Sequence, residues 1–266
     1  MGEVFYLDYY KNWKKGVKNE MDVMEYLFQA RLSREAVPAT IAALDFMVDG
    51  PVWVLSFLGL DGVKGLVPAS EAGVDARVMS RLVGQKIKVR VKGIDRENRL
   101  AACSVREVFE EAVKKLKAGD ILEGTVLTTA PGGTLLVIAD DALIEIPKEK
   151  ARKFLSLPIY QQYTPGQKIE VKIAAIDEGE AIGEAVLPDP WSIADYKRGQ
   201  FVSAVVYRVR NNIVWLEPEL TPGLLGIAPA PVKGTLERGD RVIAAVATFD
   251  PSVKKLRFRI VRRLEG

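Results

Sequence analysis

The chain has 266 residues, 48% of them hydrophobic and 27% charged, with 38 Lys and Arg against 35 Asp and Glu. This composition suits an ordinary soluble protein of one large or several small domains. Histidine is absent and Cys103 is the single cysteine, which excludes His-dependent triads, His-based zinc sites and an intramolecular disulfide framework, and fits a reducing cytosol.

Residues 1–36 stand apart as an N-terminal extension. Asn19 to Ala36 contains no Gly or Pro, and Met21, Met24, Leu27, Phe28 and Leu32 fall near helical spacing, so a helix is expected there. Ahead of it, Tyr9-Tyr10-Lys11-Asn12-Trp13-Lys14-Lys15 mixes rings with lysines. That stretch reads either as a stacking and phosphate-binding arm or as a segment packed on the first domain.

From Val37 to Val105 the pattern changes to short strands. Gly50 to Phe57 is rich in β-branched and aromatic residues, and Gln85 to Lys92 alternates polar and apolar residues. Ile94-Asp95-Arg96-Glu97-Asn98-Arg99 is a polar hairpin turn into a last strand. Five strands with one helical candidate, Asp75 to Leu82, between the third and fourth, suit a small barrel of the OB-fold type. The pattern then recurs. A second copy starts at Gly119-Asp120-Ile121 and runs through Gly132–Val137, Ala142–Pro147, a helix candidate Lys148–Leu157, and Gly166–Ile173. A third starts at Gly199-Gln200-Phe201, and its last strands are Gly239–Phe249 and Lys255–Val261. The turn aspartates Asp95, Asp177 and Asp250 recur at intervals of 82 (177 − 95) and 73 (250 − 177) residues. Linkers fall at Glu107–Ala118, which looks helical, and Leu187–Ala194, where Pro188 and Pro190 break structure. The expected division is 1–36, 37–110, 117–187 and 195–266. A single mixed domain is the alternative.

These residues resemble the S1-type RNA-binding domain, the module repeated in ribosomal protein S1. In that family a Gly-led second strand precedes a Gly-Leu-Val-(His or Pro)-x-Ser segment, and an Ile/Val-Asp turn precedes a basic residue. Here the matching pieces are Gly50–Val54, Gly65–Ser70, and Ile94-Asp95 with Arg99. The expected fold class is therefore mainly β, with three tandem five-stranded S1-type barrels after a helical extension. The resemblance implies single-stranded RNA bound on strands two and three, with rings stacking on bases and cations meeting phosphates.

On the first barrel the candidate contacts are Trp53, Lys64, Arg90, Lys92, Asp95 and Arg99. Trp53 faces outward if Val52 and Val54 are core, and is itself core in the opposite register. Asp95 and Arg99 contact RNA, or pair with each other across the turn. Arg90 and Lys92 form a cationic row with Lys86 and Lys88, or plain solvated surface. Pro68 stands where the family often has histidine, which removes one stacking group. The middle copy is degenerate: Leu135 and Leu136 replace an aromatic, and no basic residue follows Asp177. From Lys117 to Pro190 there are 7 Lys and Arg against 12 Asp and Glu, a net of −5. From Asp195 to Gly266 there are 13 against 7, a net of +6. There Lys254, Lys255, Arg257 and Arg259 supply cations and Trp215 a ring, whose side of the strand depends on a one-residue register.

No phosphate-cradling glycine loop, dinucleotide fingerprint or metal-ligand spacing occurs, so no catalytic residue, cofactor or metal is expected. Asp140-Asp141 reads as a turn, and Cys103 as a small buried strand residue. No apolar run approaches the roughly 18 residues of a membrane span. The reading is a cytoplasmic protein, with no membrane partner, that binds single-stranded RNA in translation or mRNA handling, with the ribosome or RNA-processing machinery as a further partner. The rival reading is an adaptor that has lost RNA binding and docks to a ribosome, polymerase or ribonuclease.

Overall fold

The computed structural model describes residues 23–232 and 234–264. The aromatic and basic stretch Tyr9–Lys15 and the start of the expected helix lie outside them. The chain divides into two compact units, with the boundary in the sequence between Lys115 and Leu116.

In the first unit, helix α1 (Val23–Ser33) buries Met24, Leu27 and Ala30. Leu32, expected on the same face, is instead exposed. Arg34 in the left-handed region ends the helix, and the chain enters strand β1 (Ala36–Met47), followed by β2 (Gly50–Phe57), β3 (Lys64–Pro68), β4 (Lys86–Asp95) and β5 (Leu100–Ser104). The sheet closes in the order β1-β2-β3-β5-β4, an OB-fold barrel. The helical candidate between the third and fourth strands is a 3-10 segment, Ala76–Leu82, capped by Asp75, whose side chain accepts from the Arg77 N–H. Helix α2 (Arg106–Val113) follows the barrel and buries Val108, Phe109, Ala112 and Val113.

The second unit repeats the architecture twice. Strands β6 (Ile121–Thr129), β7 (Leu135–Ala139), β8 (Ala142–Ile146), β9 (Lys168–Asp177) and β10 (Glu180–Ala185) close one barrel. Strands β11 (Phe201–Arg210), β12 (Ile213–Pro218), β13 (Gly226–Pro229), β14 (Arg241–Asp250) and β15 (Lys255–Leu264) close the other. The protein is mainly β, with three five-stranded barrels of one topology.

One irregularity recurs in all three. The first strand pairs with the fourth along its first half and with the second along the rest, and between the halves the register slips at Ile41/Ala43, Val126/Thr128 and Val206/Arg208. Each slip is a β-bulge, which bends a strand and sharpens its twist. The residue before the bulge is tied both ways to the turn that opens the fourth strand. Gly84 N–H donates to the Ile41 carbonyl at 2.7 Å, Gly166 to Val126 at 2.8 Å and Gly239 to Val206 at 2.9 Å, while the Ile41, Val126 and Val206 N–H groups donate to Gln85, Gln167 and Asp240. These glycines sit at φ +91°, +85° and +94°, where a side chain is strained.

The middle barrel departs from expectation in one element. The helix expected over Lys148–Leu157 is the single turn Lys148–Ala151. Its continuation is intercepted: the Lys153 and Phe154 N–H groups donate to Gln162 Oε1 at 2.7 and 2.8 Å, and those of Leu155 and Ser156 donate to Glu217 at 2.8 and 2.7 Å. Glu217 belongs to β12 of the third barrel and is fully buried. Its carboxylate also accepts from the Ser156 hydroxyl at 2.5 Å and the Gly223 N–H at 2.7 Å, so one side chain ties a loop of the middle barrel to the third. The connection between these barrels is anchored too. Asp189 caps the turn Pro190–Ile193, Trp191 stacks on Phe249 with centroids 6.1 Å apart, and Tyr196 meets the same ring edge-on.

A buried carboxylate is tolerated only while its acceptors are saturated, and removing it orphans every donor around it. Glu217→Ala should therefore lower unfolding stability by about 3 kcal/mol or more, read by chemical denaturation, and the amide protons of β12, which carries Glu217, should exchange faster.

Candidate nucleic-acid interface

On the third barrel, Val214 and Leu216 are fully buried, so strand alternation turns Trp215 to the outer face. Trp215 is half-buried. Cross-strand pairing sets Arg208 opposite Trp215, Trp215 opposite Ile227, and Ile227 opposite Arg257. The four form one row across β11, β12, β13 and β15. The Arg208 guanidinium lies 6.0 Å from the Trp215 ring centroid, within cation–π range. This register resolves the ambiguity at Trp215 in favour of an outward ring.

Lys255, Arg257 and Arg259 alternate with the buried Leu256 and Phe258 and are all exposed. Among the described residues, Arg257 and Arg259 form no ion pair. Lys255 pairs in register with Asp250, whose carboxyl is held below its usual range chiefly by the Ser252 hydroxyl, with Lys255 adding to the effect. Lys254 occupies the left-handed turn position, φ 48°. The pairings Asp95–Leu100 and Asp250–Lys255 make it the counterpart of Arg99.

The first barrel is different, and most of the contacts expected there are already engaged. Trp53 is core, 1% exposed, and its indole N–H donates to the Met79 carbonyl at 2.9 Å. The inward set is Trp53, Leu55 and Phe57, so the outward stacking role fails. Arg90 is bound by Glu111 and by the Arg34 carbonyl, which leaves its side chain 13% exposed. Lys92 bridges Glu107 at 2.7 Å and Glu71 at 3.3 Å. Hydrogen bonds to Glu107 and then Glu71 raise its pKa. These two cations are internal ion pairs, not a free phosphate-binding row.

Asp95 is likewise occupied. It accepts from the Glu97 and Asn98 N–H groups and from the Asn98 side chain at 2.7 Å, so it holds the turn and does not pair with Arg99. Arg99 donates from Nε to the Gly62 carbonyl at 2.8 Å, which pins the loop before β3 and leaves most of its donors in solvent. Lys64 is exposed at the start of β3. The three barrels share one register here: Val54 in the first and Leu136 in the second hold the place of Trp215. Leu136 is 3% exposed, and the middle turn is the two-residue Glu178-Gly179, both at positive φ. Among the described residues, only the third barrel brings a ring and unpaired cations together.

Two residues of this face were missed by sequence reading. Arg208 and Tyr207 follow Val205-Val206, and three apolar residues in succession break the alternation, which is the trace that a bulge leaves in a sequence.

No family model matches the chain. Over 147 residues it is 33% identical to small ribosomal subunit protein bS1 of Staphylococcus aureus (strain COL), which covers 50% of this chain and 37% of that protein. Over 185 residues it is 28% identical to bS1 of Streptococcus pneumoniae, covering 63% of this chain and 45% of that one. The chain matches less than half the length of these S1 relatives. A solved multidomain protein with nucleic acid binding domains from Streptococcus pneumoniae aligns over 86% of this chain at 13% identity and a TM-score of 0.28.

Placing Trp53 in the core of the first barrel reverses its expected mutant behaviour. Trp53→Ala should cost about 3–5 kcal/mol of stability through the cavity it leaves, and should not alter RNA affinity of the folded fraction. Urea denaturation beside an RNA titration checks both. Burial raises the Cys103 thiol to about 12. The native protein should therefore resist thiol-specific alkylation at mildly alkaline pH and react on unfolding.

Proposed function

We propose that this chain is a cytoplasmic, non-enzymatic protein that binds single-stranded RNA through the outer face of its third barrel and acts in translation or mRNA handling. The observation that carries the reading is the row Arg208–Trp215–Ile227–Arg257, a ring and an apolar side chain between two guanidinium groups. Stacking on a ring tolerates any base, and cations beside it follow the phosphates. Charge supports the same assignment, with +6 over residues 195–266 against −5 over 117–190. The similarity to ribosomal protein bS1 over half of the chain supports a partner in the ribosome or RNA-processing machinery. The division into 1–36, 37–110, 117–187 and 195–266 belongs to this proposal.

The adaptor reading keeps one specific support, on the first barrel. The β1–β2 hairpin leaves Phe46 73%, Met47 49% and Val48 103% exposed, and the neighbouring Asp45 and Asp49 suit a protein surface better than a polyanion. The first barrel then docks while the third binds RNA. Among the described residues no helix is long and apolar enough to cross a membrane.

A titration of the full chain with unstructured RNA at two salt concentrations tests the proposal. Binding should weaken with salt, Trp215→Ala should cost about 1–3 kcal/mol, and Arg257→Ala should flatten the slope of log affinity against log salt by about 0.7. A wild-type chain that binds no RNA at low salt would leave the adaptor reading alone standing.

A further inference from the structure

Beside the Trp215 row lies a pocket of about 510 Å³ lined by Tyr207, Arg208, Val209, Leu236, Glu237 and Arg238, a volume in the range of small-ligand sites. Tyr207 is the bulge residue of β11, passed over where the register jumps from Val206–Leu216 to Arg208–Trp215. A bulge re-aims the side chain it carries. The other wall, the turn before β14, is fixed to the same strand by the two backbone bonds between Val206 and Gly239-Asp240. The Arg238 guanidinium lies 5.6 Å from the Tyr207 ring centroid. Arg208 lines this pocket and also covers Trp215. Each ring therefore has its own arginine, and Arg208, which covers Trp215, also lines the pocket that holds Tyr207.

Glu237 does not fit a site for phosphate alone. It is exposed, its N–H donates to Asp240 at 2.8 Å, and among the described residues its carboxylate pairs with neither Arg208 nor Arg238. An unpaired carboxylate repels phosphate but accepts a hydrogen bond from the exocyclic amine of a base. We infer that this pocket is a second nucleotide subsite, in which Tyr207 stacks a base, Arg208 and Arg238 flank its phosphate, and Glu237 selects a base that bears an exocyclic amine.

The inference rests on the proposed RNA reading, and its test separates the two. Labelled hexanucleotides of cytidine, adenosine and uridine are titrated by anisotropy against the full chain and the variants Trp215→Ala, Tyr207→Leu and Glu237→Ala. The wild type should bind the cytidine and adenosine oligomers about fivefold or more tighter than the uridine oligomer. Glu237→Ala, at an exposed position that leaves the fold alone, should bring that ratio near one without weakening uridine binding. Tyr207→Leu should weaken cytidine and adenosine binding about tenfold, as loss of one stacked base does. If Trp215→Ala weakens all three while Glu237→Ala leaves the ratios unchanged, the subsite is overturned and the Trp215 platform stands. If the wild type binds none of the three, both are overturned.

Discussion

The β-bulge in the first strand of each barrel is the constraint on which the rest depends. Every strand of a closed barrel serves two partners, and β1, β6 and β11 hold theirs along successive stretches by bending where one residue drops out of register. The residue before the bend is clamped to the turn that opens the fourth strand, so bulge and closure are one device made from backbone hydrogen bonds. Closure leaves no long free edge for another chain to pair with. It also fixes which side chains face out on the second and third strands, and so where a ligand can lie.

With one scaffold repeated, the differences among the barrels come from what covers or neutralises the outer face. In the first, the fourth-strand cations Arg90 and Lys92 are drawn into pairs with Glu71 of the segment after β3 and with Glu107 and Glu111 of helix α2. The middle barrel has a buried leucine where the third has its tryptophan. The third also yields part of its β12 face, because Glu217, two residues beyond Trp215, is sealed under a loop of the middle barrel. What stays open is the short stretch around Trp215, Ile227 and the basic last strand.

Much of this was legible in the sequence, and the failures have identifiable causes. Three repeats, their turn aspartates and the helical linker could be read because turn residues and alternation are local signals. The side on which Trp53 lies could not, since Val52-Trp53-Val54-Leu55 is apolar at every position and an unbroken run carries no phase. Asn212-Ile213-Val214-Trp215-Leu216 had the same defect, and only the paired register decides it. Arg90 and Lys92 read as a free cationic row because their partners arrive from helix α2 and the segment after β3. The helix after β8 was overextended because Gln162 and Glu217, which capture its N–H groups, act through tertiary contact.

The bulge separates two jobs that a protein usually assigns to the same residue. Its position is set by closure, but the side chain it carries takes no part in closure, and the chain holds three different ones there: Ala42, Leu127 and Tyr207. Architecture and ligand chemistry are thus written at the same address in independent alphabets. The backbone bonds that close the barrel hold with alanine, leucine or tyrosine at this place, so duplicated barrels can keep one topology while they differ in the side chain that each bulge presents.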